Sequence, residues 1–282
     1  MPLTVENLSY TYNAGLPSER AALSGVSFEC GEGQIVSVLG HTGSGKSTLA
    51  QHLNGLIAPQ SGRVIADGDE TGRSAAETRR VRRKVGLVFQ YPEEQIFSDN
   101  VFDEIAFAPR NWGVPEPEIP ARVGEAAREA GLGEALLDAS PYGLSGGQKR
   151  SVAIASVIAA RPSYLVLDEP AAGLDCDTAE ALLSMIKNFA ASGAGVVLIT
   201  HDIELALSVS DMILLLEEGR TVLFGTPEET AELVVSREVK GLAVPEILGI
   251  SAALRDAGKI DKLAWSAEGL IAQIRKRKNG LA

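Results

Sequence analysis

Gly40-His41-Thr42-Gly43-Ser44-Gly45-Lys46-Ser47, extended by Thr48, decides how this chain folds. The stretch has the form G-x-x-x-x-G-K-[ST] and lies between an apolar, β-branched run ending at Leu39 and a helical pattern that begins near Lys46. Glycines at 40, 43 and 45 let the backbone curl until successive N–H groups face inward, and the helix that follows aims its partial positive end at the same point. Lys46 is placed to reach the β- and γ-phosphates of a nucleotide, and the Ser47 hydroxyl to ligate magnesium. A purely structural Gly-rich turn would not need strand, loop, lysine, hydroxyl and helix to agree. The motif predicts a bound nucleoside triphosphate and leaves kinases, GTPases and motors all open.

Upstream of this loop, Val5 to Tyr12, Val26 to Cys30 and Ile35 to Leu39 have the content of strands, broken by Gly15, Pro17 and Gly31-Glu32-Gly33. They predict a small sheet that opens the chain. Downstream, the helical pattern runs through Leu56, a Pro59-Gln60-Ser61-Gly62 turn follows, Val64 and Ile65 start a short strand, and Val85 to Phe89 reads as another. Between Gln90 and Gly143 the pattern is helical and loop-like, with Pro109, Pro115, Pro117 and Pro120 crowding one connection, which predicts an inserted helical subdomain over about 91–160. Tyr164 to Leu167 and Val196 to Thr200 are continuous apolar runs, as in parallel strands covered on both faces, and a helix from about Thr178 to Ala191 separates them. The expected fold is α/β, with nucleotide at the strand ends. From about Thr226 the chain carries helical patterns and no chemical motif.

At 282 residues and 45% hydrophobic content, the chain can bury one large core with appendages. Its 26 basic and 37 acidic residues give a net charge of -11, which works against binding nucleic acid or an anionic lipid surface. Cys30 and Cys176 lack metal-ligand spacing and read as isolated reduced thiols, pointing to the cytoplasm. Residues 1–20 lack the basic-then-apolar order of a secretory signal, and no apolar run reaches the 18 or so residues that span a bilayer. Any membrane connection is expected to come through a partner.

Leu144-Ser145-Gly146-Gly147-Gln148 narrows the choice, since a random chain of this length would hold that pentapeptide with a probability on the order of 10⁻⁴. Ser145 and the two glycines open a helix, offering a hydroxyl, bare N–H groups and a helix dipole to a γ-phosphate. Here the chain resembles the ABC transporter ATPase family. The resemblance implies a P-loop core of ABC type over residues 1–225, with an N-terminal antiparallel β subdomain and the inserted helical subdomain, followed by a C-terminal extension over 226–282. It also implies that the phosphate cradle of one subunit is closed by the signature of a partner, so that ATP and Mg²⁺ are sandwiched in a dimer. Tyr164-Leu-Val-Leu-Asp168-Glu169 follows in family order, a buried strand ending in paired carboxylates, where Asp168 would support magnesium and Glu169 would polarise the attacking water. By the same resemblance, Gln90 links magnesium and the lytic water to the helical subdomain, and His201 donates to the γ-phosphate. Asp175 of Ala172-Gly-Leu-Asp175 belongs to the loop that crosses the dimer interface. Tyr12 would stack on adenine, with Tyr10 as the competing candidate.

The segment Gln90-Tyr-Pro-Glu-Glu-Gln-Ile-Phe, continuing through Asn100-Val-Phe-Asp-Glu-Ile-Ala-Phe-Ala-Pro109, together with His41 and Gln51-His-Leu-Asn-Gly-Leu56, resembles the energy-coupling-factor ATPases. Glu104 stands where Asp is common, Ala108 for Gly, Ala171 for Thr, and Lys149 and Ser151 flank the signature. The resemblance implies the second ATPase of a pair, identical or different, at the cytoplasmic face of the cell membrane. Its partners would be a transmembrane coupling protein and, indirectly, a substrate-binding membrane protein importing a vitamin or transition-metal ion, with no nucleic acid. Conventional ABC cassettes and ABC-type ATPases acting on DNA or ribosomes are the alternatives. From Tyr91 to Pro109 the chain carries Glu93, Glu94, Asp99, Asp103 and Glu104 and no Lys or Arg, which predicts a groove for basic coupling helices; alternatively Asn100-x-x-Asp103 simply caps a helix. Arg79 to Lys84 reads as a solvated helix face, and Arg275-Lys-Arg-Lys278 either as a contact for anionic headgroups or as a soluble tail. Residues 226–282 are expected to contribute to ATPase pairing.

Overall fold

The computed structural model describes residues 1–280. Strands β1 (Leu3–Tyr12), β2 (Arg20–Cys30), β4 (Ser61–Ala66) and β5 (Asp69–Glu70) form an antiparallel sheet in the order β2-β1-β4-β5. Six others form the central sheet: β3 (Ile35–Leu39), β6 (Val85–Val88), β7 (Tyr164–Asp168), β8 (Gly195–Thr200), β9 (Met212–Glu217) and β10 (Arg220–Gly225), in the order β10-β9-β3-β8-β7-β6. Pairing is parallel from β9 to β6, and β10 closes the edge as an antiparallel hairpin with β9.

One expectation is corrected here. Ile35 to Leu39 does not join the opening sheet but runs at the centre of the parallel one, between β8 and β9. All five of its residues are buried, a pattern that a strand covered on both faces requires and a half-exposed antiparallel strand does not. The helix after the phosphate loop, α1 (Lys46–Leu53), also stops short of Leu56. Residues 203–225, unassigned from the sequence, form α7 (Ile203–Val209) and the β9–β10 hairpin.

Alternation along the parallel strands divides the core. Leu165, Leu167, Val196 and Leu198 face a layer built from α3 (Val101–Asn111), α4 (Ile119–Glu129), α5 (Gly146–Ile158) and α6 (Cys176–Ala191). Tyr164, Val166, Val197 and Ile199 face the other way, onto Leu49 and Leu53 of α1 and onto Leu8, Val26 and Val64 of the antiparallel sheet. Helix α1 is therefore clamped between two sheets, and so is the loop that precedes it. Ile213 and Leu215 make a third core with α7, α8 (Pro227–Ser236) and α9 (Glu246–Asp256), which joins the segment after 225 to the central sheet.

The basic helix α2 (Ala75–Lys84) is a solvated, ion-paired face: Arg80 and Lys84 both reach Asp69, at 2.7 and 2.8 Å. Helix α10 (Ala267–Gly280) carries exposed Arg275 and Lys276, while Arg277 pairs with Asp261; the Lys278 side chain lies outside the described residues. No helix among the described residues is long and apolar enough to cross a membrane.

Candidate nucleotide-binding site

The loop between β3 and α1 needs its glycines. Gly45 adopts φ +106°, and a Cβ there would lie 2.5 Å from the Ala22 carbonyl oxygen of β2, so only a bare backbone fits. The Lys46 side chain folds back into this curl, donating to the Gly40 and His41 carbonyls at 2.6 and 3.1 Å, with Glu169 Oε1 at 3.7 Å. Burial pushes the Lys46 ammonium below its ordinary range, and the Glu169 and Asp168 carboxylates work against that push.

Tyr12, Arg20, Thr42, Gly43, Gly45, Lys46, Ser47, Thr48, Gln90, Glu169 and His201 line one open cavity of ≈ 270 Å³. Five segments distant in sequence thus bring their predicted residues to one place: Tyr12, the loop from Thr42 to Thr48, Gln90, Glu169 and His201. Gly40, His41 and Ser44 lie behind that wall: Ser44 is fully buried, its hydroxyl without a partner and its N–H donating to the His41 carbonyl at 3.1 Å. His41 packs against Gly241, where a Cβ would come within 2.6 Å of the His41 Cβ, so the segment after α8 touches the phosphate loop. The sequence reading missed Arg20, which sits on the cavity wall and reaches the Gly43 carbonyl at 3.5 Å. Nothing in its local pattern distinguishes it from a solvated arginine.

At the end of β7 the two carboxylates differ in their surroundings. Asp168 is 4% exposed and its Oδ1 has no hydrogen-bond partner. Burial pushes its carboxyl above the ordinary range, the Ser47 hydroxyl opposes this, Glu169 adds to it and Lys46 opposes it again. Glu169 holds a left-handed backbone, φ +49°, pinned by donation of its N–H to Ile199 at 2.9 Å. This turn swings its side chain toward His201, whose Nδ1 lies 2.9 Å from Glu169 Oε1.

Of the two tyrosines, Tyr12 lines the cavity and Tyr10 does not. Tyr10 instead backs Tyr12 edge-on at 4.9 Å between centroids and meets His52 edge-on at 4.8 Å. His52 is fully buried on α1, its Nδ1 on the Thr48 carbonyl at 2.7 Å. An aromatic stack thus ties the β1 platform to the helix that carries Thr48.

Leu144 to Gln148 contribute no residue to this cavity. Ser145 caps α5 in a reciprocal box: its Oγ accepts from the Gln148 N–H at 3.3 Å, and Gln148 Oε1 accepts from the Ser145 N–H at 3.0 Å. Ser145 and Gly146 are exposed, Gly147 is half-buried, and the Ser145 O–H remains free to donate outward. Asp175 likewise caps α6, accepting from the Thr178 N–H and hydroxyl at 2.9 Å each, which holds its carboxyl below the ordinary range.

The acidic stretch needs correction. Glu93 forms a fork-to-fork pair with Arg150, Asp103 pairs with Arg110 at 2.8 Å, and Glu104 is 5% exposed, accepting from the Phe97 and Ser98 N–H groups. The neutralising arginines come from outside the acidic segment, which a linear count misses. Asn100 does cap α3, accepting from the Asp103 N–H at 2.7 Å. Glu94 and Asp99 stay exposed, so the negative rim is smaller than five carboxylates. Beside it opens a groove of ≈ 340 Å³ lined by Phe97, Phe107, Trp112, Ile96 and Leu87, with Arg82 and Arg83 on its wall. Phe97 and Phe107 stack edge-on at 4.9 Å with 58% and 51% of their surface exposed, an apolar surface that the charge pattern hides.

A parallel sheet with a Gly-rich loop, a Lys and paired carboxylates at its strand ends defines a P-loop nucleoside triphosphatase; the capped Ser-Gly-Gly helix outside that cavity narrows the class to ABC ATPases. The ABC transporter family model matches residues 23–172. The energy-coupling factor transporter ATP-binding protein EcfA2 of Symbiobacterium thermophilum is 42% identical over 92% of this chain and 90% of its own length. That of Clostridium perfringens is 40% identical over 98% of this chain and 99% of its own. Among solved structures, cbiO1 from Clostridium perfringens, part of the ABC transporter complex cbiONQ, superposes with TM-score 0.72 at 35% identity, covering 84% of this chain and 95% of that one. The cassette MJ0796, a dimer in a post-hydrolysis state bound to ADP and Pi, gives TM-score 0.72 at 30% identity, covering 80% of this chain and 99% of its own. The chain belongs to the ABC transporter family, in its group of energy-coupling factor transporter ATP-binding proteins, and is an ATPase whose hydrolysis of ATP is coupled to transport.

Burial holds the His52 imidazole below its ordinary 6.5, with the Thr48 carbonyl partly offsetting it. The unfolded chain therefore takes up this proton first, and His52 costs stability as the pH falls below 6.5. His52→Phe, which keeps an edge-on ring, is expected to flatten the acid side of a thermal-midpoint against pH profile. An unchanged slope would contradict this.

Proposed function

We propose that the chain is the second ATPase of an energy-coupling-factor importer, held at the cytoplasmic face of the membrane, and that it closes on ATP as one half of an ATPase dimer. The observation that carries the reading is Glu169, hydrogen-bonded to His201 and 3.7 Å from Lys46, at a cavity whose wall includes Ser47 and Gln90 but none of the chain's own signature residues. The signature serine, exposed and free to donate, fits the γ-phosphate of a nucleotide in another subunit.

Magnesium fits the residues present. The buried, partnerless Asp168 Oδ1, the Ser47 hydroxyl and the Gln90 amide would hold it, and no cluster of three His, Cys, Asp or Glu occurs among the described residues, as suits an ion that takes its other ligands from phosphate and water. When bound, the ion neutralises charge building on the β- and γ-phosphates.

The chain's own residues supply the rest. Tyr12, backed by Tyr10 and His52, offers a ring for adenine, and the N–H groups from Thr42 to Thr48 cradle the phosphates. Lys46 exchanges its carbonyl partners for phosphate oxygens. Glu169 accepts a proton from the attacking water. With Nδ1 of His201 against Glu169, its Nε2 is left to face the γ-phosphate, so one ring joins base and phosphate. Asp175 caps the helix that would stand at the dimer interface.

An apolar helix of a transmembrane coupling protein suits the Phe97–Phe107 groove, and exposed Glu94 and Asp99 on the same segment as Phe97 offer it partners for basic side chains. A substrate-binding membrane protein would complete the importer, and a vitamin or transition-metal ion would be its cargo. Ile250 and Ile271, exposed on α9 and α10, support a pairing role for residues 226–282.

Glu169→Gln is expected to keep ATP affinity while turnover of the assembled complex falls about 10²- to 10⁴-fold; wild-type turnover would refute the assignment. Phe107→Asp is expected to abolish co-purification with the membrane protein while the isolated chain still binds ATP. Retained co-purification would move the docking surface elsewhere.

A further inference from the structure

Arg150 lies on α5, five residues beyond Ser145, with 6% of its surface exposed. Its Nε and Nη2 donate to the two Glu93 oxygens at 3.2 and 2.8 Å, and its Nη1 donates to the Pro170 and Ala172 carbonyls at 3.2 and 2.8 Å. One guanidinium thus joins three segments: the signature helix, the turn three residues after Gln90, and the loop between Glu169 and Asp175. A lysine could not make this set, because only a planar fork addresses a carboxylate on one edge and carbonyls on another.

Stability alone is a poor account of the arrangement. A buried ion pair gains little over apolar packing of the same volume, yet removing one partner leaves an uncompensated charge. What the geometry does provide is register. Glu93 belongs to the 3-10 turn Pro92–Gln95, of which Pro92 and Gln95 line the apolar groove. Pro170 and Ala172 flank the backbone that leaves Glu169. Displacing the turn drags Arg150, and through it the carbonyls that fix where Glu169 and Asp175 stand.

We propose that Arg150 is a positioning residue that couples the groove-lining turn, through Glu93, to the loop carrying Glu169 and Asp175, so that occupancy of the groove sets the hydrolysis rate. The inference rests on the roles given above to Glu169 and the groove. Burial pushes the Glu93 carboxyl up, but the hydrogen bond and charge of Arg150 outweigh it and hold the group below its ordinary range, so the pair is ionised on both sides.

The test uses the ATPase assembled with its membrane partner, carrying Glu93→Gln, Arg150→Lys or both, with kcat, KM for ATP and the thermal midpoint measured for each. Each single variant is expected to lower kcat about tenfold at unchanged KM, and the double variant to be no worse than either alone, the signature of one shared interaction. Should Arg150→Lys fail to fold, Glu93→Gln, which preserves volume, still decides the question. A lowered midpoint with wild-type kcat per folded molecule, a parallel rise in KM, or additive losses would each overturn the proposal. Glu169→Gln serves as control: if it retains turnover the site assignment fails, whereas if it is inactive and Glu93→Gln is not, only the coupling fails.

Discussion

Lys46 brings a positive charge to a place where 6% of its residue surface meets solvent, and the site is organised around that charge. An isolated buried ammonium would lose its proton. Two carbonyls of the curled loop and the Glu169 carboxylate keep it charged, and they meet only because β3, β8 and β7 are adjacent and parallel, with their carboxyl ends on one side. The sheet order is therefore a precondition of the chemistry. The same crowding excludes a side chain at Gly45, where β2 of the other sheet presses on the loop.

Clamping has a second consequence, for rigidity. Helix α1 packs one face on the parallel strands and another on the antiparallel sheet, so the phosphate loop is fixed by two cores. Tyr12 reaches the cavity from the antiparallel sheet and is held to α1 through Tyr10 and His52. Tyr12 and the loop before α1 are thereby one solid piece. The helical layer behind Gln90 sits on the other face of the central sheet, in a core of its own that Arg150 links to the loop after Glu169.

Much of this was legible in the sequence because the informative signals are local. Gly40 to Ser47, Tyr164 to Glu169 and Leu144 to Gln148 each contain the strand, turn or cap that places them. What escaped depends on neighbours distant in the chain. Ile35 to Leu39 looks like its preceding strands until its burial on both faces puts it in the other sheet. Glu93 looks unneutralised until Arg150 arrives from α5. Arg20 carries no local pattern, since its contact is to the Gly43 carbonyl of a loop more than twenty residues on.

On this account, a nucleotide cavity finished by another polypeptide ought to be inert in a single copy, because the chain's own Ser145 lies outside its own phosphate site. The direct measurement is ATP turnover per chain of the purified ATPase, with its pairing partner where that is a different chain, as a function of dilution, alongside the dimer fraction from sedimentation at each concentration. Turnover per chain should rise in step with the dimer fraction and vanish in the monomer. Turnover that stays constant down to fully dissociated chains would contradict the account.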